Sequence, residues 1–322
     1  MGRTARTPFT TFTALACLYF ASGAVGLVDE VIFFKYLSLA FGATAHASSA
    51  VLVAFMGGLA LGAIAAARFD ASVSRPLLVY GALEIAVGAL CAVSPWLFGE
   101  VAHLYASMAA GTTSLATLEV VRAGLAAAVV LLPTVAMGAT LPLVARGAGA
   151  SLGATDGGAR RVATLYGANT AGGAVGALLG AYAILPALGL TASLRAGALV
   201  SVGIGVTAMI LSRRVPASAP VAQGDAAPSS RPLLAPDRRP RGVLVASAAS
   251  GLLVFAGEVV FIHLLALVDG TSVYVFGLVL AVFLVALAAG AAASRVLARR
   301  AGASALAASL ALSGLVLAAS LP

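Results

Sequence analysis

The sequence predicts an all-α membrane protein of about nine transmembrane helices: one six-helix repeat, then the first three helices of a second, parallel repeat. Three observations predict it. Of 322 residues, 61% are hydrophobic and 9% charged, with a mean hydropathy of +1.07; a soluble domain carries roughly 45–50% apolar and about 25% charged residues. The apolar residues fall in runs of about 20, the length that crosses a bilayer as a helix, without the ten-residue alternation of barrel strands. The regions on either side of a polar segment at 212–242 also resemble each other. A single core stops growing near roughly 250–300 residues, so no soluble fold of this size hides such an apolar excess. Cytosolic enzymes, secreted disulfide scaffolds and disordered proteins are thereby excluded.

The first span covers 12–29 and extends as far as 41. More apolar sequence follows at once and no small-residue cleavage site is evident, so it is not a cleaved signal peptide. Spans at 45–67, 77–98, 120–144, 163–186 and 190–211 complete the first repeat, residues 1–211. Residues 212–242 hold six of the 13 prolines and six arginines, and read as a disordered, basic, Pro-rich cytoplasmic linker. The incomplete second repeat, 243–322, supplies spans at 243–264, 272–294 and 303–321.

With the N-terminus in the cytoplasm, 16 of the 19 basic residues lie on the inside, and only Lys35, Arg122 and Arg195 lie on or near the outside. That asymmetry is the positive-inside signature. It places Pro322 outside, and the abundance of Ala, Gly and Arg suggests a bacterial inner membrane. The net charge of +8 is therefore a feature of the cytoplasmic side and not a nucleic-acid surface. The partner implied is the lipid bilayer.

A shift of 228 residues superimposes the two copies. It aligns Ala21-Ser22-Gly23 with Ala249-Ser250-Gly251, Glu30-Val31 with Glu258-Val259, Phe33 with Phe261, Gly42 with Gly270 and Gly62 with Gly290. Between 21 and 62 there are 15 identities in 42 ungapped positions, where composition alone gives about six, a repeat signal. Six helices, a basic cytoplasmic loop and a parallel copy form the layout of major-facilitator-type transporters. Pro322 falls beside the place of Pro95, at the end of the third helix of the copy. The chain is thus expected to be a piece of a longer protein, or else to pack other membrane subunits on its incomplete second repeat.

Ionisable groups within spans cost roughly 2.5–3.5 kcal/mol by insertion assays, so each needs a reason. Glu30 and Glu258 occupy the same place in the two copies, and Lys35 and His263 follow five residues later in each. Five residues turn a helix through about 140°, so the members of each pair do not stack; they meet through a bulge or find partners on neighbouring helices. Two readings stand for the acids: proton or cation handling at the repeat interface, or anchoring near the outer headgroups. The about 27 Å between residues 12 and 30 favours anchoring. Glu84 lies eight residues into its span, opposite Leu312 of the second copy, and is expected to point into the bundle.

Asn169 and Thr170 serve either as interhelical hydrogen bonds, worth about 0.6 kcal/mol on average, or as solute contacts. Gly172, Gly176 and Gly180 form a small-residue stripe for close helix approach. Pro133 and Pro142 line a cavity or kink the fourth span. Glu119 and Arg122 form a local ion pair. His46 and His103 lack a second ligand at metal spacing, and Cys17 and Cys91 sit in apolar runs as small hydrophobes. Arg68, Asp70 and Arg75 resemble, faintly, the cytoplasmic loop of the transporter layout. No catalytic residue, cofactor, metal or disulfide is expected.

The motif series is Ser22-Gly23…Glu30, the glycine-rich run Gly57–Gly62, Glu84-Ile85-Ala86-Val87-Gly88, Pro133-Thr134…Met137-Gly138-Ala139-Thr140-Leu141-Pro142, and Tyr166-Gly167-Ala168-Asn169-Thr170. It resembles the membrane region of spermidine-synthase-like multi-pass proteins, the fused major-facilitator/spermidine synthase family, closely over 12–211 and less so over 243–322. The resemblance implies a membrane domain that binds or transports a small solute. A polyamine-like amine would suit Glu30, Glu84 and Glu258. Two alternatives are an accessory subunit of a larger membrane complex, and an anchor for an aminopropyltransferase domain of which these 322 residues show no trace. Aminopropyl transfer is therefore not assigned to them.

Overall fold

The computed structural model describes residues 7–42, 45–69, 73–111, 114–152, 158–214, 241–270 and 272–301. Every regular element among them is helical: α1 (Thr7–Phe41), α2 (Ala45–Phe69), α3 (Pro76–Ala110), α4 (Leu115–Gly138), α5 (Thr140–Leu152), α6 (Gly158–Leu179) with a π-helical turn at Gly180–Ile184, α7 (Leu185–Ser212), α8 (Arg241–Asp269) and α9 (Val273–Ala301). Seven stretches are long and apolar enough to cross a membrane. The predicted ninth span at 303–321, residues 215–240 of the linker and Asp70 lie outside the described residues.

Local chemistry sets the breaks. Pro76 opens α3 at a position where its missing N–H leaves no bond unmade. Ser114 caps α4, its hydroxyl accepting the Thr117 N–H at 3.4 Å. Pro142 has no N–H for the Gly138 carbonyl, and the helix gives way between Gly138 and Thr140. The fourth span is thus kinked into α4 and α5. The apolar run 161–212 has 52 residues, about 78 Å as one helix and far more than a hydrocarbon core of about 30 Å. It breaks at Gly189, whose φ of 74° suits glycine, and Ser193 donates to the freed Gly189 carbonyl at 2.6 Å. This is the expected boundary between the fifth and sixth spans.

Glycines reveal how the helices run. A Cβ on Gly172 or Gly176 would fall on the Phe20 and Ala24 carbonyls, so α6 lies parallel to α1 with backbones in contact. Gly58 meets Leu131 and Thr134, and Gly62 meets Val135 and Ala139, which makes α2 parallel to α4. Gly81 packs on Gly205 and Gly88 on Ala198, so α3 and α7 are antiparallel. Bonds from Ser22 to Glu84 and from Cys91 to Asp29 keep one offset of 62 residues and make α1 parallel to α3. The chain therefore reverses at Gly189. Gly277 against Ala177, with Leu284 against Gly173, sets α9 antiparallel to α6.

α1 and α8 end on similar turns. Gly42 ends α1 with φ 86° and Gly270 ends α8 with φ 77°, 228 residues apart. The core falls into two apolar clusters. One holds Leu15, Tyr19, Leu77, Tyr80, Val144 and Ile204; the other holds Val31, Phe33, Leu37, Val87, Ala177 and Leu194.

Candidate functional site

Between the two clusters the four helices that contribute to both turn polar. α1 supplies Ser22, α3 Glu84, α6 Asn169 and Thr170, and α7 Ser201. Glu84, Thr170 and Ser201 are buried. The Ser22 hydroxyl donates to Glu84 Oε1 at 2.6 Å. Asn169 Nδ2 donates to the Tyr19 carbonyl at 3.1 Å, tying α6 to α1. Thr170 spends its proton on the Tyr166 carbonyl of its own helix, at 2.9 Å. Of this adjacent pair, Asn169 alone makes the interhelical bond.

The α4–α5 kink brings in a further group. Thr140 donates to the Met137 carbonyl at 2.7 Å, so in its 3.3 Å contact with Tyr19 the phenol is the donor. Tyr80 packs edge-on to Tyr19, with ring centres 6.2 Å apart. Its buried hydroxyl lies beside Glu84 without reaching hydrogen-bonding geometry.

Two turns further along α1 stands a second polar group. Asp29 is fully buried; its Oδ2 accepts from the Cys91 thiol at 3.3 Å, while Oδ1 faces Gly197 of α7 without a donor. Glu30, also fully buried, has no partner on either oxygen, and buried Glu258 of α8 has none on Oε1. Protein encloses both. Among the described residues none of Asp29, Glu30, Glu84 and Glu258 has a lysine or arginine partner.

The companions predicted for Glu30 and Glu258 stand apart from them. Lys35 is half-buried on a helix without a bulge and forms no ion pair among the described residues. His263 Nδ1 contacts the Val259 carbonyl of its own helix at 2.5 Å, so that nitrogen carries the hydrogen, and buried Nε2 has no partner. Glu119 and Arg122 pair at 2.7 Å as expected, with Arg122 also donating to the Tyr105 hydroxyl at 2.8 Å. Two open grooves lie elsewhere, between α3 and α7 beside Arg195 and between α3 and α4 beside Glu100 and His103.

No family model, curated protein or solved structure matches the chain. Its chemistry is therefore read from the interior itself. Sequence reasoning passed over Asp29, Tyr19 and Tyr80. Asp29 aligns with Gly257 in the second copy, so the repeat that singled out Glu30 gave it no weight. The available signal was spacing: 19, 22, 26 and 29 follow one helix face.

Proposed function

We propose that this chain is the membrane domain of a spermidine-synthase-like protein, and that it binds or moves a small cationic solute of the amine class. The observation that carries this reading is the set of four buried carboxyl side chains without a basic partner among the described residues. A carboxylate enclosed in a low-dielectric interior is costly unless positive charge or a proton meets it. An ammonium supplies that charge and several donors. Glu84 is the proposed anionic contact, with Ser22 orienting its carboxylate and the Tyr19–Tyr80 edge-to-face pair packed close by. Asn169 holds α6 to α1 at the same level.

In this reading the protein is a multi-pass component of a bacterial inner membrane with its N-terminus in the cytoplasm, supported by the arginine asymmetry. The second copy rocks against the first, as in transporters built of parallel repeats. The test is calorimetric titration of the full chain in lipid nanodiscs with spermidine as probe. Glu84→Gln is expected to weaken binding at least tenfold, about 1.4 kcal/mol. Unchanged binding in that variant would overturn the reading.

A further inference from the structure

We propose that the groove between α3 and α7 seats an acyl chain of an anionic phospholipid, whose phosphate is met by Arg195. The groove has a volume of about 440 Å³ and is lined by Gly88, Ala89 and Ala92 of α3 and by Ala198, Leu199 and Val202 of α7, with Arg195 as the charged residue of the lining. Packing sets its floor. A Cβ on Gly88 would fall on the Ala198 carbonyl, so the two helices touch there, and the small side chains beside the contact leave an apolar trough. Apolar surface of this kind takes up hydrocarbon in preference to a hydrated solute.

The depth of the groove matches a lipid. α3 and α7 are antiparallel, so Arg75 before α3 and Arg213 after α7 stand at one end of the pair. Arg195 precedes Arg213 by 18 residues, about 27 Å along the helix, and a hydrocarbon core is about 30 Å thick. The guanidinium therefore stands at the headgroup level of the leaflet opposite Arg213. From there Ala198, Leu199 and Val202 run inward, the direction an acyl chain takes from its phosphate. Trp96 lies one turn beyond Ala92 on the same face of α3 and is 65% exposed. Tryptophan of this kind belongs to the interfacial belt, and it marks the same level as Arg195 without reference to charge.

The charge is open to a ligand. Arg195 is exposed and has no carboxylate partner among the described residues. Glu100 lines the other groove, between α3 and α4, while Asp29 and Glu84 are buried in the interior. A guanidinium is permanently charged and forks onto phosphate oxygens through paired N–H donors. Its net attraction favours an anionic headgroup over a zwitterionic one. The inference rests on the apolar, membrane-crossing length of the helices and not on the amine reading.

Trp96 is the single tryptophan of the chain, which makes it a reporter at the groove. The test is quenching of its fluorescence in the full chain, in nanodiscs of phosphatidylglycerol and phosphatidylcholine with one or the other lipid brominated high on its acyl chains. Phosphatidylglycerol is expected to compete for the site about fivefold better than phosphatidylcholine, the weight of one basic residue at a membrane surface. Arg195→Gln should abolish the preference, and Arg195→Lys should keep most of it. Arg213→Gln, at the opposite surface, should leave it unchanged. Ala92→Phe fills the trough with Arg195 in place and should also lower the preference, which keeps the site testable if Arg195→Gln does not fold. Equal quenching by the two lipids in the unaltered chain overturns the proposal, as ordinary lipid contact only. A preference that survives both Arg195→Gln and Ala92→Phe, or one that falls as far in Arg213→Gln, overturns it as well. No spermidine enters this experiment, so failure of amine binding and failure of the lipid site are told apart.

Discussion

α1 and α8 are two copies of one pattern placed in different company. Both carry Ser-Gly early, a buried glutamate midway and a glycine of positive φ at the end. α1 is ringed by α3, α6, α7 and α9, whereas the described neighbours of α8 are chiefly α9 and an edge of α2. Phe33 is accordingly 0% exposed, and its counterpart Phe261 is 42% exposed. Gly23 abuts the Asn169 backbone, and its counterpart Gly251 has nothing within 4 Å. Burial is thus set by the partner helices and not by the pattern. What the two copies keep in common is the turn and the acid, the features that local backbone geometry and charge impose.

Three pairs of substitutions at equivalent positions bear on this comparison, each read by thermal or chemical unfolding of the purified protein. Phe33→Ala should cost about 3–5 kcal/mol, as aromatic truncation in a packed core does. Phe261→Ala should cost less than about 1 kcal/mol, because that ring is already 42% exposed. Equal costs would mean that α8 is as enclosed as α1. Gly23→Ala drives a methyl into the Asn169 carbonyl and is expected to cost about 1–3 kcal/mol; Gly251→Ala should stay within about 0.5 kcal/mol. The smallest effect sharpens the likeness: Gly42→Ala and Gly270→Ala should each cost about 1 kcal/mol, since both force an alanine to positive φ. A clear difference between these two would show that the turns are not equivalent.

The described helices, the break at Gly189 and the Gly172–Gly176 stripe were legible in the sequence, because each follows from composition or local backbone chemistry; at Pro142 the sequence left a kink and a cavity both open. The polar layer was legible only in part. Glu84 and Asn169 stand out as polar residues in apolar runs, yet their partners Ser22 and Tyr19 are 62 and 150 residues away. Those partners come together only when α3 and α6 pack on α1. Tyr19 and Tyr80 read as ordinary aromatic residues until Thr140 and Glu84 are placed beside their hydroxyls. Lys35 shows the opposite limit: its alignment with His263 is clear, but neither reaches the acid that precedes it.

The glycine contacts carry a mechanical consequence. α1 with α6, α2 with α4 and α3 with α7 touch backbone to backbone, and dense, small-residue interfaces of this kind resist sliding. These pairs are the stiff members of the bundle. The Ser22–Glu84 and Asp29–Cys91 bonds do not lie within any of them; both span the line between the α1–α6 and α3–α7 pairs. Packing that interlocks backbones cannot part without losing many contacts at once, whereas a hydrogen bond can be exchanged for one to water or to an ammonium. Movement between the stiff members would therefore be felt first by the buried acids.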